Sequence, residues 1–252
     1  MQRAPLNPAV TSISAFFPCY NDAPSIESVV EAALSAIDRV GVDGDVTVVN
    51  DGSTDGSAAV LEKLKVREPR VHVVTHPTNR GYGGALLSGL AAAAKQWVFY
   101  TDGDGQFDAT ELALLVEYAG ENVDVVQGYK ISRADGPVRR VVGRVYHRFV
   151  AFMFGLHIRD TDCDFRLIRR DVLDRVQLTH TTGVICVEMV RKLQDVEARF
   201  VEVGVHHYAR VHGSSQFFRP SNVLLTLRDL IGMWIQLVVR DRYTSGRRAH
   251  RR

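Results

Sequence analysis

The segment Asp102-Gly103-Asp104-Gly105-Gln106-Phe107-Asp108 follows directly on the apolar run Trp97-Val98-Phe99-Tyr100. Two carboxylates one residue apart at the end of a buried strand can converge on a single hard cation. Oxygen-only ligation with coordination positions left open suits Mg²⁺ or Mn²⁺ bridging phosphate oxygens. Such an ion neutralises a diphosphate as it leaves, which points to phosphate-ester or glycosyl-transfer chemistry. Acidic, glycine-rich loops also occur simply as turns, so the segment gains weight only from its neighbours.

Three further polar loops supply that weight. Pro18-Cys19-Tyr20-Asn21-Asp22 closes a first apolar run. Asn21 or Asp22 can line a nucleotide pocket there, or Asp22 can cap the following helix. Asn50-Asp51-Gly52-Ser53-Thr54-Asp55 closes a second run. Asp51 can accept from a base N–H or a ribose hydroxyl, and Asp55 suits a helix N-cap. Asn79-Arg80-Gly81-Tyr82-Gly83-Gly84 opens a helix. Its amides, those of Gly81 and Gly84 included, can meet phosphate, or its glycines can serve a tight strand-to-helix turn. No Gly-x-Gly-x-x-Gly follows the first strand, which argues against a dinucleotide cofactor.

These loops need a scaffold, and hydrophobic periodicity provides one. It predicts strands over 13–18, 45–50, 71–75, 97–101 and 123–127. Helices are predicted over 24–40, 55–66, 83–95 and 109–118, with Ile26, Val29, Val30, Ala33, Leu34 and Ile37 at helical spacing in the first. Strands alternating with helices of this length imply an α/β fold, a mostly parallel sheet with helices on both faces. Ligands on such sheets bind beyond the carboxyl ends of the strands, where all four loops fall. The second half is less regular. It reads as a helix over 138–154, a loop with a short strand over 156–168, a helix over 183–193, a strand over 199–205 and a long helix over 221–240.

Composition excludes several classes. The chain has 252 residues, 46% hydrophobic and 24% charged, with net charge +2, as expected of one sizeable globular domain. Its charge is uneven: from Arg219 onward eight arginines stand against two aspartates, a net +6, leaving −4 for residues 1–218. A basic tail on a mildly acidic body suits anionic lipid headgroups or nucleic acid. Cys19, Cys163 and Cys186 have no paired spacing, which argues against a disulfide scaffold or a zinc site. His206, His207 and His212 match no zinc pattern and read as polar loop residues. The first residues have no apolar core of a signal peptide, and no stretch of 18 uncharged apolar residues occurs.

Taken in order, Pro-x-Tyr-Asn-Asp, Asn-Asp-Gly-Ser-Thr-Asp, Asn-x-Gly-x-Gly-Gly-Ala and Asp-x-Asp-x-Gln resemble the family-2 glycosyltransferases of the GT-A, Rossmann-like fold over roughly residues 12–215. The chain is most similar to the polyprenyl-phosphate (dolichyl-phosphate) glycosyltransferases, which typically read Asp-x-Asp-Leu-Gln-x-Pro. Gly105 and Asp108 depart from that pattern. Downstream, Asp160-Thr161-Asp162-Cys163-Asp164-Phe165-Arg166-Leu167 resembles the group's acceptor-side signature. Tyr208-Ala209-Arg210-Val211-His212-Gly213-Ser214-Ser215 resembles its Tyr-x-Arg-x-x-Gly-x-Ser loop, with Gln216 near the usual Lys.

The resemblance implies a division of labour. Pro18, Tyr20, Asn21, Asp22, Asp51, Gly81, Gly84, Asp102 and Gln106 would hold the nucleotide sugar, a UDP- or GDP-sugar. Asp102, Asp104 and Gln106 would hold Mg²⁺ or Mn²⁺, with Asp102, Asp104 and Asp164 catalytic. Lys130, Arg139, Arg140, Arg144, Arg210 and Ser214 would bind acceptor or leaving phosphates, Lys130 as a point charge in place of an arginine fork. The expected reaction is inverting, metal-dependent sugar transfer to a polyprenyl phosphate such as dolichyl or undecaprenyl phosphate. It would occur at the cytoplasmic face of the membrane, with peripheral membrane contact, no nucleic-acid partner and an open oligomeric state. Residues 1–219 would form the transferase domain and residues 220–252 an amphipathic, interfacial helix with a basic tail. That helix can instead pack on the domain or at a dimer interface. A soluble or polysaccharide acceptor, or a non-catalytic nucleotide-binding module, are the alternatives.

Overall fold

A computed structural model describes residues 7–133, 137–210 and 220–240. Seven strands form one sheet in the order β3-β2-β1-β4-β6-β5-β7. β1 (Ser12–Cys19), β2 (Asp43–Asn50), β3 (Val71–Thr75) and β4 (Trp97–Thr101) are parallel, with β1 at the centre of this half. The chain runs from β1 outward through β2 and β3, then returns to place β4 on β1's other side. That reversal opens a crevice between the carboxyl ends of β1 and β4, where Pro18–Asp22 and Asp102–Gln106 lie side by side. Gly103 N–H donates to Pro18 O at 3.2 Å, and a Cβ on Gly103 would stand 2.6 Å from that oxygen. Only glycine lets the two loops approach so closely.

Side-chain alternation feeds two cores from the same strands. Ala15, Phe17, Trp97 and Phe99 pack with the buried stripe of α1 (Ile26–Val40) and with α4 (Leu112–Tyr118). Phe16, Val98 and Tyr100 pack on the opposite face with α3 (Tyr82–Ala92) and α7 (Ile185–Asp195). Each fully buried Phe contributes roughly 1.5–3 kcal/mol. α2 (Ser57–Arg67) lies outside β3. α1 ends at Gly41 in the left-handed region, φ 74°.

In the second half the short strand expected at the end of the 156–168 loop is present, one residue beyond the expected bound. β6 (Phe165–Arg169) enters antiparallel between β4 and β5 (Val125–Arg133), and β7 (Phe200–His207) pairs parallel with β5. Arg166 within β6 breaks the apolar pattern. His206 and His207 are strand residues rather than the loop residues expected. The polar contacts they make explain it: His206 Nδ1 lies 2.5 Å from Glu111 Oε1, and His207 is buried against the Phe107 ring.

α5 (Pro137–Phe154) and α8 (Pro220–Trp234), the latter continued by a π-helical turn at Ile235–Arg240, pack together with α7. Val150, Phe154, Leu230, Met233 and Leu237 form that contact, and Trp234 Nε1 donates to Met153 O at 2.9 Å. A short α6 (Arg170–Leu173) follows β6. No helix among the described residues is long and apolar enough to cross a membrane.

One buried carboxylate holds the loop before α7. Glu188 accepts from Thr179 N–H, Thr179 Oγ1 and His180 N–H at 2.9–3.1 Å, and pairs with Lys192 Nζ at 2.6 Å. Burial alone would raise its pKa, but the His180 side chain, 3.0 Å away, together with Lys192 and the backbone donors outweighs burial and lowers it to about 2 from 4.5. The folded carboxyl therefore titrates below the unfolded one. Its stabilisation, about 3 kcal/mol, is complete above pH 4.5 and is lost as pH falls toward 2. Glu188→Gln should flatten that part of the stability curve, read as urea midpoints across this pH range.

Candidate active site

The crevice gathers carboxylates from three loops. Asp102 ends β4 with one oxygen accepting from the Tyr82 hydroxyl at 2.8 Å. Burial pushes its carboxyl well above the usual range, and neighbouring Asp104 and Asp164 push it further. Asp22 is raised to about 6, again by burial first and then by Asp104. Two cations answer this charge. Arg210 pairs with Asp104 through Nη2 and donates from Nε to Gln106 Oε1 at 3.3 Å. Lys130 lies on the far side, donating to Asp162 O at 2.7 Å. Burial works against its charge, but Asp160, Asp162 and Asp164 together raise its pKa.

The structure gives most of the expected site residues a definite place. Asn21 adopts φ 60°, and its Oδ1 accepts from Thr54 N–H at 2.8 Å, so it braces the loop after β2. Asp22 does not cap α1 with its side chain; Oδ2 turns back to Tyr20 N–H at 3.0 Å. Tyr20 stands exposed at the rim. Asp51 Oδ1 accepts from Arg80 N–H at 2.8 Å. Gly81 N–H donates to Asn79 Oδ1 and Gly84 N–H to Thr181 O, at 3.0 and 3.3 Å, so both amides already have protein partners. A Cβ on Gly83 would stand 2.5 Å from His180 O. The glycine-rich loop thus gains close packing against the segment that Glu188 holds. Gln106 Nε2 donates to Tyr208 O at 3.1 Å and Tyr208 N–H donates to Gln106 O at 2.8 Å, which docks the segment after β7 on the acidic loop.

Asp164 engages both its oxygens with protein: Arg166 Nη1 at 2.8 Å on one and Cys186 Sγ at 3.3 Å on the other. Arg166 is fully buried and also meets the Tyr100 hydroxyl, Gln127 Oε1 and Thr161 O. Arg144 is an exposed residue of α5. Arg139 and Arg140 lie in the first turns of α5, their side chains outside the described residues, as is Ser214. Sequence reasoning missed Tyr82, His76 and Arg166. Tyr82 had one signal, a lone aromatic between Gly81 and Gly83 in a loop opposite the acidic pair. Cys19, Cys163 and Cys186 are free and buried, and burial raises every thiol, that of Cys19 to about 12.

The donor set suits a divalent cation. Asp102 and Asp104 offer hard oxygens; Arg210 pairs with Asp104, while on Asp102 burial and the neighbouring carboxylates outweigh Tyr82 and Lys130 and favour the protonated form. Among the described residues no group of three His, Cys, Asp or Glu converges to hold a metal alone. The remaining ligands would come from water and diphosphate, the usual habit of Mg²⁺.

A doubly wound sheet carrying an acidic pair at its switch point suits phosphate-bearing ligands. The chain belongs to glycosyl transferase family 2, whose sequence pattern matches residues 14–177, and it is a glycosyltransferase. It is 29% identical over 224 residues, 87% of this chain and 67% of the relative, to the undecaprenyl-phosphate 4-deoxy-4-formamido-L-arabinose transferase of Enterobacter sp. (strain 638). The enzyme of that name from Pectobacterium carotovorum is 28% identical over 82% of this chain and 63% of its own length. The chain thus spans about two thirds of these curated relatives. In fold it matches the glucosyl-3-phosphoglycerate synthase of Mycobacterium tuberculosis, solved with Mn²⁺, UDP and glucosyl-3-phosphoglycerate. That match has TM-score 0.67 and 21% identity, and covers 90% of this chain and 79% of that one.

Proposed function

We propose that this chain moves a sugar from a UDP- or GDP-sugar to a polyprenyl phosphate, with inversion, at the cytoplasmic face of a membrane. The observation that carries this is the juxtaposition of Asp22, Asp102 and Asp104 with Arg210 and Lys130 at the β1/β4 crevice. A sugar diphosphate and a lipid phosphate repel each other, so opposed groups of carboxylates and cations are what their approach requires. The names of the relatives support the lipid acceptor.

In this reading Asp51 and Asn21 lie on the nucleoside side, and Asp102 and Asp104 would hold Mg²⁺ or Mn²⁺. Such an ion would supply neutralising charge to the departing diphosphate. Arg210 and Lys130 would draw the two phosphates together and hold the nucleophile about 3–3.5 Å from the anomeric carbon. A phosphate oxygen is already ionised at neutral pH, so aim and desolvation matter more than a base. Asp164, with both oxygens engaged, would act by holding Arg166 rather than by taking a proton.

Residues 220–252 would supply the interfacial helix and basic tail. α5 adds to that face. Phe149, Phe152, Val145 and, on α8, Ile231 are exposed at 53%, 89%, 63% and 55%, beside Arg144, Arg148 and Arg228. Apolar residues flanked by arginines suit an anionic bilayer surface. Replacing Phe149 and Phe152 together by Ser should weaken co-sedimentation with phosphatidylglycerol vesicles by at least roughly tenfold, without lowering the melting temperature.

The direct test supplies purified protein with radiolabelled UDP- and GDP-sugars and detergent-dispersed undecaprenyl phosphate. Label should pass to the organic phase only when the polyprenyl phosphate is present. A second reading, a soluble phosphorylated acceptor, is favoured by the fold shared with the M. tuberculosis synthase. Transfer to soluble phosphorylated acids with none to the lipid would establish it instead.

A further inference from the structure

A buried chain of polar side chains lies behind Asp51, away from the acidic pair. Asp51 and His76 are 3% and 4% exposed. His76 follows β3 directly, its N–H donating to Asn50 O at 2.9 Å, so its backbone is tied to the end of β2. His76 Nδ1 lies 2.6 Å from Asp51 Oδ1, and Nε2 lies 2.9 Å from Ser88 Oγ in α3. Arg80 N–H donates to the same Oδ1 at 2.8 Å.

Ser–His–Asp in this order has the connectivity of a hydrolytic triad, but the surroundings deny that chemistry. Ser88 lies in the interior of α3, where backbone N–H groups are committed to the helix. No pair of amides is available beside it to receive an oxyanion. The chain has a different consequence. Two donors converge on one oxygen of Asp51 and fix the carboxylate about its Cβ–Cγ bond. Oδ1 takes both of these bonds, and among the described residues none falls on Oδ2, which is left as an acceptor. A carboxylate held in this way selects a ligand donor, and it penalises a ligand that offers none, because a desolvated acceptor is then left unpaired.

We infer that His76 is a positioning residue that locks Asp51 as a fixed hydrogen-bond acceptor for a donor on the nucleoside, a ring N–H or a ribose hydroxyl. Ser88 anchors the far side of the imidazole and sets the tautomer that donates from Nδ1. The inference rests on the nucleotide-sugar reading above and names what gives its nucleoside end selectivity.

The test measures binding of UDP and of GDP with Mn²⁺ by calorimetry, then of the N-methylated-base and 2′-deoxy forms of whichever binds. His76→Leu should raise Kd by roughly ten- to a hundredfold and raise the KM for the sugar donor in parallel, with kcat changed far less. His76→Asn keeps an N–H where Nδ1 stood and should restore most of the affinity. In the wild type one of the two analogues should bind at least roughly tenfold more weakly, the N-methyl form if the donor is the base and the 2′-deoxy form if it is the sugar. In His76→Leu that difference should disappear. If His76→Leu does not fold, Ser88→Ala carries the test, with a several-fold rise in Kd expected. Unchanged affinity in the variants, an equal loss in His76→Asn and His76→Leu, or analogue discrimination that survives His76→Leu overturns the inference while leaving the nucleotide reading intact. A wild-type protein that binds neither UDP nor GDP overturns both.

Discussion

Asp102→Asn should lower sugar transfer by at least roughly a thousandfold while leaving the metal-free protein as stable as the wild type or more so. The two effects have one cause. Asp102 is half-buried beside Asp104 and Asp164, and its folded pKa stands well above the ordinary value. Its ionisation therefore costs stability as pH rises above the unfolded carboxylate range. Asparagine keeps the shape and the bond from Tyr82 while removing the charge. An oxygen cluster that is strained by its own charge and relieved by a cation is what a binding site gives up in stability. Mn²⁺ with UDP or GDP should raise the wild-type melting temperature, and Mn²⁺ alone should do so much less, because two carboxylates need diphosphate oxygens to complete the shell. In Asp102→Asn the joint shift should vanish. A variant that transfers sugar at the wild-type rate would remove the acidic pair from the mechanism.

The second large effect is on stability. Asp164→Ala leaves the Arg166 guanidinium inside the sheet without its carboxylate. Breaking a buried ion pair from one side costs about 3–5 kcal/mol, which for a domain of this size lowers the melting temperature by roughly 6–20 °C. Replacing both partners by apolar residues, Asp164→Leu with Arg166→Met, should recover much of that loss, since no charge is then stranded. Thermal melts of the three variants separate this from a catalytic role. A single Asp164→Ala protein that melts like the wild type but has lost turnover would make Asp164 a reacting group.

The legibility of this molecule in its sequence follows how local each constraint is. β1 and β4 are mostly apolar, with Ser14 the buried polar exception in β1, because both faces of the central sheet are covered, and each ends in a polar loop. That pattern alone places Asp102 and Asp104 at the switch point. The α1 stripe from Ile26 to Val40 is equally plain, since every member faces one core. β6 was legible only as a short strand at the end of a loop; its antiparallel place between β4 and β5 was not, because it depends on partners far along the chain. Arg166 is acceptable in a central strand only through Tyr100, Gln127 and Asp164. The same holds for the site. The spacing of the acidic pair is local, whereas His76 reaching Asp51, or Tyr82 reaching Asp102, depends on which strands become neighbours. The glycines of residues 81–84 illustrate the converse. A phosphate-binding loop and a close-packed turn use the same residue type, and only the position of Thr181 shows what surrounds them.

The three native thiols have a practical consequence. Each is sealed within the fold and held in its protonated, unreactive form, so alkylating dyes should pass over the folded wild-type chain. A single cysteine introduced at Phe152, the most exposed aromatic on α5, would then be the sole site of labelling with no need to strip the native ones first. An environment-sensitive fluorophore placed there would report in real time when that helix leaves water for a bilayer.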